Sequence, residues 1–141
     1  MQWLLFCSHH LAESAIGEVE GAVIVPSEID TYDVLRGADV LVTDYSSLLF
    51  DYLSTGRRVI SYAPDISEYE AERGLYLLPS DVISDAVTTV DELKRLLGDR
   101  GFEPDKRYLE SRNIYCGMED GGASVRVLDW IQGRWAKTES T

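Results

Sequence analysis

The segment Asp39–Thr43 (DVLVT) runs apolar and β-branched without a break, and a polar cluster follows at once: Thr43, Asp44, Tyr45, Ser46, Ser47. A run of that length and composition is a buried strand, and it ends where the polarity sets in. Leu48, Leu49, Tyr52 and Leu53 then recur at three- and four-residue spacing. That spacing predicts a helix with Ser46 or Ser47 as N-cap and Gly56 as its stop. Arg58–Tyr62 (RVISY) is the next strand, closed by Pro64. Strand, short loop, helix and strand form a right-handed βαβ unit, so the expected architecture is a parallel sheet with helices on both faces.

The rest of the chain extends this pattern. Trp3–Ser8 and Ala22–Val25 have the length of buried strands, and Leu11–Glu20 can hold a brief helix weakened by Gly17. Thr31 is placed to cap a helix through Arg36, with Gly37 ending it. Thr88 or Thr89 can cap a helix through Leu97, with Glu92 as the box partner and Gly98 as the end. Asp120–Trp135 reads as a last amphipathic helix whose stripe Val125, Leu128, Ile131 is expected to pack back on the sheet. The fold class is therefore α/β: a single Rossmann-like domain over 1–136, a parallel sheet of about five or six strands, and a frayed tail over 137–141.

Composition limits the partners. With 45% hydrophobic residues in 141 the chain can bury a core, and a formal charge of −12 opposes binding to nucleic acid or to an anionic lipid leaflet. Cys7 and Cys116 lie too far apart in sequence for a zinc or redox motif, which fits a reduced, cytoplasmic setting. The apolar run Trp3–Cys7 is too short to span a bilayer, and no Lys or Arg precedes Arg36. Membrane association is expected to be peripheral at most, or through a partner at the inner face of the cell membrane.

In an open parallel sheet, ligands bind beyond the carboxyl ends of the strands, which is where Thr43–Ser47 falls. A helix start offers backbone N–H donors and partial positive charge, and Ser46 and Ser47 add hydroxyls, so a diphosphate can be held there without a lysine cluster. Plain helix capping by the two serines is the other reading. Asp51, one turn further on among Leu49, Phe50 and Leu53, is expected on a buried helix, where a carboxylate needs a partner such as ribose hydroxyls. Arg57, Arg58 and Arg73 can pair with phosphate or with the protein's own acids. Ser124, beside two glycines, is either a second anion site or an ordinary cap. No metal motif is visible and no cofactor is expected.

The run Ala38–Tyr62, ADVLVTDYSSLLFDYLSTGRRVISY, resembles the CDP-glycerol glycerophosphotransferase family of teichoic-acid polymerases and primases. Asp65–Tyr76 (DISEYEAERGLY) looks like that family's loop with a tyrosine and an Arg-Gly pair, and Asp120–Ser124 with Arg126 resembles its closing helix. The resemblance implies the carboxyl-terminal, nucleotide-binding half of a GT-B fold. It implies that Thr43, Ser46 and Ser47 contact the donor pyrophosphate and that Asp51 takes the ribose. It also implies a histidine after the first strand that assists phosphate transfer. Where the family reads roughly Arg-x-His, this chain has Cys7-Ser8-His9-His10, so the arginine is absent and either His9 or His10 is the counterpart, His9 being preferred.

The implied partner is CDP-glycerol or a related nucleoside-diphosphate donor, and the implied activity is transfer of glycerol phosphate to a teichoic-acid-like polymer. An acceptor-binding domain or partner subunit is missing from the sequence. The chain is thus expected to be a fragment, a truncated form or one subunit of a split enzyme, inactive alone. The alternatives are a non-catalytic nucleotide-binding module and half of a UDP- or GDP-sugar glycosyltransferase.

Overall fold

The computed structural model describes residues 5–6 and 21–138, with side chains over 21–133. The chain divides into two compact units, Met1–Asp39 and Val40–Thr141. In the first, β1 (Leu5–Phe6) pairs in parallel with β2 (Val23–Ile24), Leu5 opposite Val23 and Phe6 opposite Ile24. Helix α1 (Thr31–Gly37) follows. Its N-cap is Asp30 rather than Thr31: the Asp30 carboxylate accepts the Tyr32 N–H at 2.7 Å, which the shorter, branched threonine would have to do from inside the first turn. The helix expected over Leu11–Glu20 lies outside the described residues.

The second unit is built on β3 (Val40–Thr43), β4 (Arg58–Tyr62) and β5 (Ala86–Val87), all parallel, with β4 in the middle. The register sets Val40 against Arg58 and Thr43 against Ser61. A central strand is covered on both faces, and β4 is buried from Arg58 through Ser61. Helix α2 (Leu48–Leu53) lays Leu49, Tyr52 and Leu53 into the core beside Val59 and Ile60. Full burial of each such side chain contributes about 1.5–3 kcal/mol. The described strands thus form a two-stranded and a three-stranded sheet, where a single sheet was expected.

Beyond β4 the chain forms α3 (Ile66–Arg73), the single turn α4 (Pro79–Val82), α5 (Val90–Gly98), α6 (Lys106–Cys116) and α7 (Ala123–Thr138). Thr89 caps α5, and its hydroxyl is also bonded to Glu92, as the sequence predicts. Helix α6 packs against α2: Phe50 meets Tyr115 edge-on, and Arg112 donates to the Ser54 carbonyl at 3.1 Å. Helix α7 departs from expectation. Its stripe Val125, Leu128 and Ile131 is 60%, 56% and 42% exposed, so it does not rest on the sheet. None of the described helices is long and apolar enough to cross a membrane.

Candidate functional site

The loop from Thr43 to Ser47 leaves the carboxyl end of β3, and local side-chain bonds shape it. The Asp44 carboxylate accepts the Ser46 N–H at 2.8 Å, and the Ser46 hydroxyl oxygen accepts the Leu48 N–H at 3.3 Å. These are successive turns of the kind that short polar side chains impose on a backbone. Across the register, Ser61, only 1% exposed, donates its hydroxyl to the Asp44 carbonyl at 3.1 Å. The loop is not packed under protein: Asp44 and Ser47 are exposed, and Thr43 and Ser46 are half-buried.

This geometry changes which groups are offered to a ligand. The amides of Ser46 and Leu48 are taken by side chains, and those of Leu49 and Phe50 by the carbonyls of Ser46 and Ser47. Helix α2 has only six residues, and Ser47, at its N-cap, makes no side-chain cap bond. The expected cradle of helix amides is therefore mostly spent. What remains are hydroxyls: Ser47 is uncommitted as a cap, and Ser46, having accepted a bond, keeps its O–H hydrogen to donate.

Two tethers hold the loop to α3 and the residue before it. The Tyr45 hydroxyl donates to Asp65 Oδ2 at 3.3 Å, and the Tyr45 ring stacks on Tyr69 with centroids 3.9 Å apart and planes 25° from parallel. Partial burial, followed by the charges of Asp65 and Asp44, pushes the Tyr45 phenol above its ordinary value, so it stays a donor. Arg73, one turn along α3, sets its guanidinium over the Tyr69 ring at 5.6 Å. The helix ends immediately after Arg73 because Gly74 adopts φ 73°, a left-handed conformation suited to glycine.

The other predicted residues lie elsewhere. Asp51 is exposed on α2, so the burial argument that demanded a ribose partner does not hold. Arg57 and Arg58 stand level with Val40, at the amino end of the sheet, and β3 separates them from Thr43 by about 10 Å at ~3.3 Å per residue. Arg58 is 6% exposed and committed internally. Its Nε bonds Asp85 Oδ2 at 2.8 Å, and Nη1 bonds the carbonyls of Leu96 and Asp99 at 2.9 and 2.6 Å, closing the end of α5. Arg58 is a structural cation and not a phosphate contact.

Ser124 is exposed near the start of α7, but an internal anion already occupies that region. Asp120 accepts the Gly122 N–H at 2.8 Å and pairs with Arg126 at 2.7 Å. The Arg126 bond, then the Gly122 amide, hold its carboxyl below the usual range. His9 and His10 lie outside the described residues. Among the described residues no cluster of His, Cys, Asp and Glu is arranged to hold a metal ion. Sequence reasoning missed Ser61, Tyr45, Tyr69 and Asp65. The aromatic residue two positions past the strand was the available signal for Tyr45.

A cleft of about 140 Å³ opens at the opposite, amino edge of the sheet, beside Arg58. Asp85, Asp99, Glu103 and Asp105 line it against the one arginine, so it repels a diphosphate.

The family model for CDP-glycerol:poly(glycerophosphate) glycerophosphotransferases matches residues 2–133. The chain belongs to this family. Among glycerophosphotransferase relatives, it is 33% identical over 139 residues to the teichoic acid glycerol-phosphate transferase of Staphylococcus aureus (strain NCTC 8325 / PS 47), covering 91% of this chain and 34% of that one. It is 31% identical over 106 residues to the teichoic acid ribitol-phosphate primase of Bacillus spizizenii (strain ATCC 23059 / NRRL B-14472 / W23), covering 71% and 26%. Its fold matches the wall teichoic acid polymerase TagF with a TM-score of 0.75 at 22% identity, covering 99% of this chain and 36% of that one. The α/β, GT-B-type expectation is thereby met. The chain spans about a quarter to a third of the length of these relatives.

Proposed function

We propose that this chain is the donor-nucleotide-binding part of a glycerophosphotransferase, holding a CDP-alcohol, CDP-glycerol first, at the Thr43–Ser47 loop. The observation that carries this reading is an open strand-to-helix loop at the carboxyl edge of a parallel sheet. Its serine hydroxyls stay available while its backbone is fixed by Asp44, Ser61 and Tyr45. Family membership supports this choice of donor class.

In the proposed reaction an acceptor hydroxyl oxygen attacks the β-phosphorus, forming a new O–P bond. The bond from that phosphorus to the bridging oxygen breaks, CMP departs with the electron pair, and the hydroxyl proton passes to a base. Ser46 and Ser47, with Thr43 at the strand end, neutralise charge growing on the phosphate oxygens by hydrogen bonding, in an arrangement set before the substrate arrives. We assign His9 or His10 to the leaving phosphate, an imidazole being suited to donate a proton near neutral pH. The polymer acceptor is assigned to protein outside this chain. Asp51, exposed on α2, keeps the proposed ribose contact. Use of a nucleotide donor places the chemistry on the cytoplasmic side.

Calorimetry tests this directly. The chain should bind CDP-glycerol more tightly than CMP, UDP-sugars or GDP-sugars. Ser46→Ala combined with Ser47→Ala should weaken binding at least about tenfold, since hydrogen bonds to a charged group contribute about 1.5–3 kcal/mol each. Equal affinity of the variant and the native chain would remove the site. Preference for a UDP- or GDP-sugar would move the chain to sugar transfer.

A further inference from the structure

The layered group Tyr45–Tyr69–Arg73 is not explained by folding alone. Arg73 is exposed and shares α3 with Glu68, Glu70 and Glu72 in a chain of formal charge −12. Yet no described residue gives its guanidinium an ion pair or a hydrogen bond, and its one recorded contact is the Tyr69 ring. Tyr69 and Arg73 are four residues apart, so they are neighbours on one helix face. Tyr45 stacks on Tyr69 at 3.9 Å, and the Arg73 guanidinium lies 5.6 Å from the centroid of the same ring. The cation therefore lies no farther from the Tyr45 ring than those two separations together, and Tyr45 is itself part of the Thr43–Ser47 loop.

A cation–π contact restricts where a guanidinium sits while leaving its N–H donors open. A planar fork held this way suits two oxygens of one phosphate. The contrast with Arg58, whose donors go to Asp85 and two carbonyls, shows what a structural arginine looks like in this fold.

We propose that Tyr69, locked in place by Tyr45, is a positioning residue that aims Arg73 at a phosphate of the nucleoside diphosphate held by the Thr43–Ser47 loop. This rests on the donor-site reading and adds to it the cation that the loop lacks. The aromatic column does the work of rotamer selection: without the Tyr69 face, Arg73 samples solvent and contributes little.

The test is a double-mutant cycle on the full chain, read by calorimetry with CDP-glycerol, with cytidine and with inorganic pyrophosphate as probes, each variant checked for folding by circular dichroism. Arg73→Gln should weaken CDP-glycerol and pyrophosphate about tenfold and leave cytidine unchanged. Tyr69→Leu should lose roughly fivefold on the same two probes, Tyr69→Phe should restore near-native affinity, and Tyr69→Leu with Arg73→Gln should be no worse than Arg73→Gln alone. The dependence of affinity on ionic strength should flatten in Arg73→Gln and Tyr69→Leu but not in Tyr69→Phe.

Native affinity in Arg73→Gln overturns the proposal, as do losses in the two single variants that simply multiply in the double. A loss in Tyr69→Leu that extends equally to cytidine overturns it too, since that marks general damage. Failure of the native chain to bind CDP-glycerol removes the donor-site reading and this proposal together. Sensitivity to Ser46→Ala and Ser47→Ala with indifference to Arg73→Gln removes this one alone.

Discussion

The two ends of the β3–β4–β5 sheet use the same residue types for opposite purposes. At the amino end Arg58 is buried, its bonds go to Asp85 and the carbonyls closing α5, and Tyr108 donates to the Arg57 carbonyl at 2.6 Å. At the carboxyl end Arg73 lies exposed on a tyrosine face, and the serines of the loop keep hydroxyl hydrogens to give. Polarity at the first end is consumed in holding elements together. At the second end the protein tethers the backbone and leaves side-chain donors open, which is the arrangement a ligand site requires.

That contrast predicts a graded set of effects. Arg58→Met strands the part-buried Asp85 carboxylate and two carbonyls and should destabilise the chain by about 3 kcal/mol in urea unfolding. CDP-glycerol affinity per folded molecule should be unchanged. A large loss of affinity in the folded variant would mean that the two ends are not separate. Gly74→Ala is next: φ 73° with ψ 154° belongs to glycine, so about 1–3 kcal/mol should be lost, together with the clean exit of the chain after Arg73.

Tyr108→Phe should cost about 1 kcal/mol through the lost bond to Arg57. It also carries a pH signature. Burial pushes the Tyr108 phenol up to about 12 from 10.0, so the folded state keeps its proton where the unfolded state has released it. The stabilisation is complete below pH 10 and declines as pH rises from there toward 12. Alkaline unfolding of the native chain should show that decline, and Tyr108→Phe should lack this tyrosine's share. Last, Arg73→Gln should change stability by no more than about 0.5–1 kcal/mol, the contribution of one exposed cation–π contact with Tyr69. A loss comparable to that of Arg58→Met would make Arg73 structural as well.

How far the sequence disclosed this follows from which signals are local. β4 matches the predicted Arg58–Tyr62 because Val59, Ile60 and Tyr62 supply β-formers between Gly56 and Pro64, even though Arg58 and Ser61 are buried alongside Val59 and Ile60. Thr89 was legible as a cap because its bond to Glu92 spans only three residues. Helix α6 was not foreseen: Leu109, Ile114 and Tyr115 remain exposed, so no clean apolar stripe marks it, and its start depends on Asp105 accepting the Tyr108 N–H.

Thr43, Ser46 and Ser47 were singled out by the strand-to-polar switch, and they do lie where β3 gives way to α2. The roles of Arg58 and Arg73 were not legible, because the difference lies in register and in contacts made far along the chain. Asp85 lies 27 residues from Arg58, and Tyr45 is tied to Asp65 from 20 residues away. The motif pointed to the loop, and only the packing distinguished Arg58, bonded internally, from Arg73, which lies over the Tyr69 ring.

The most direct measurement is a titration of the ¹⁵N-labelled chain with CDP-glycerol, followed by amide chemical shifts. The account predicts that perturbations gather on Thr43–Ser47 and on α3 around Tyr69 and Arg73, while Arg57, Arg58, Asp85 and Asp99 stay put. Perturbations centred on the amino-edge cleft, or none at saturating donor, would contradict it.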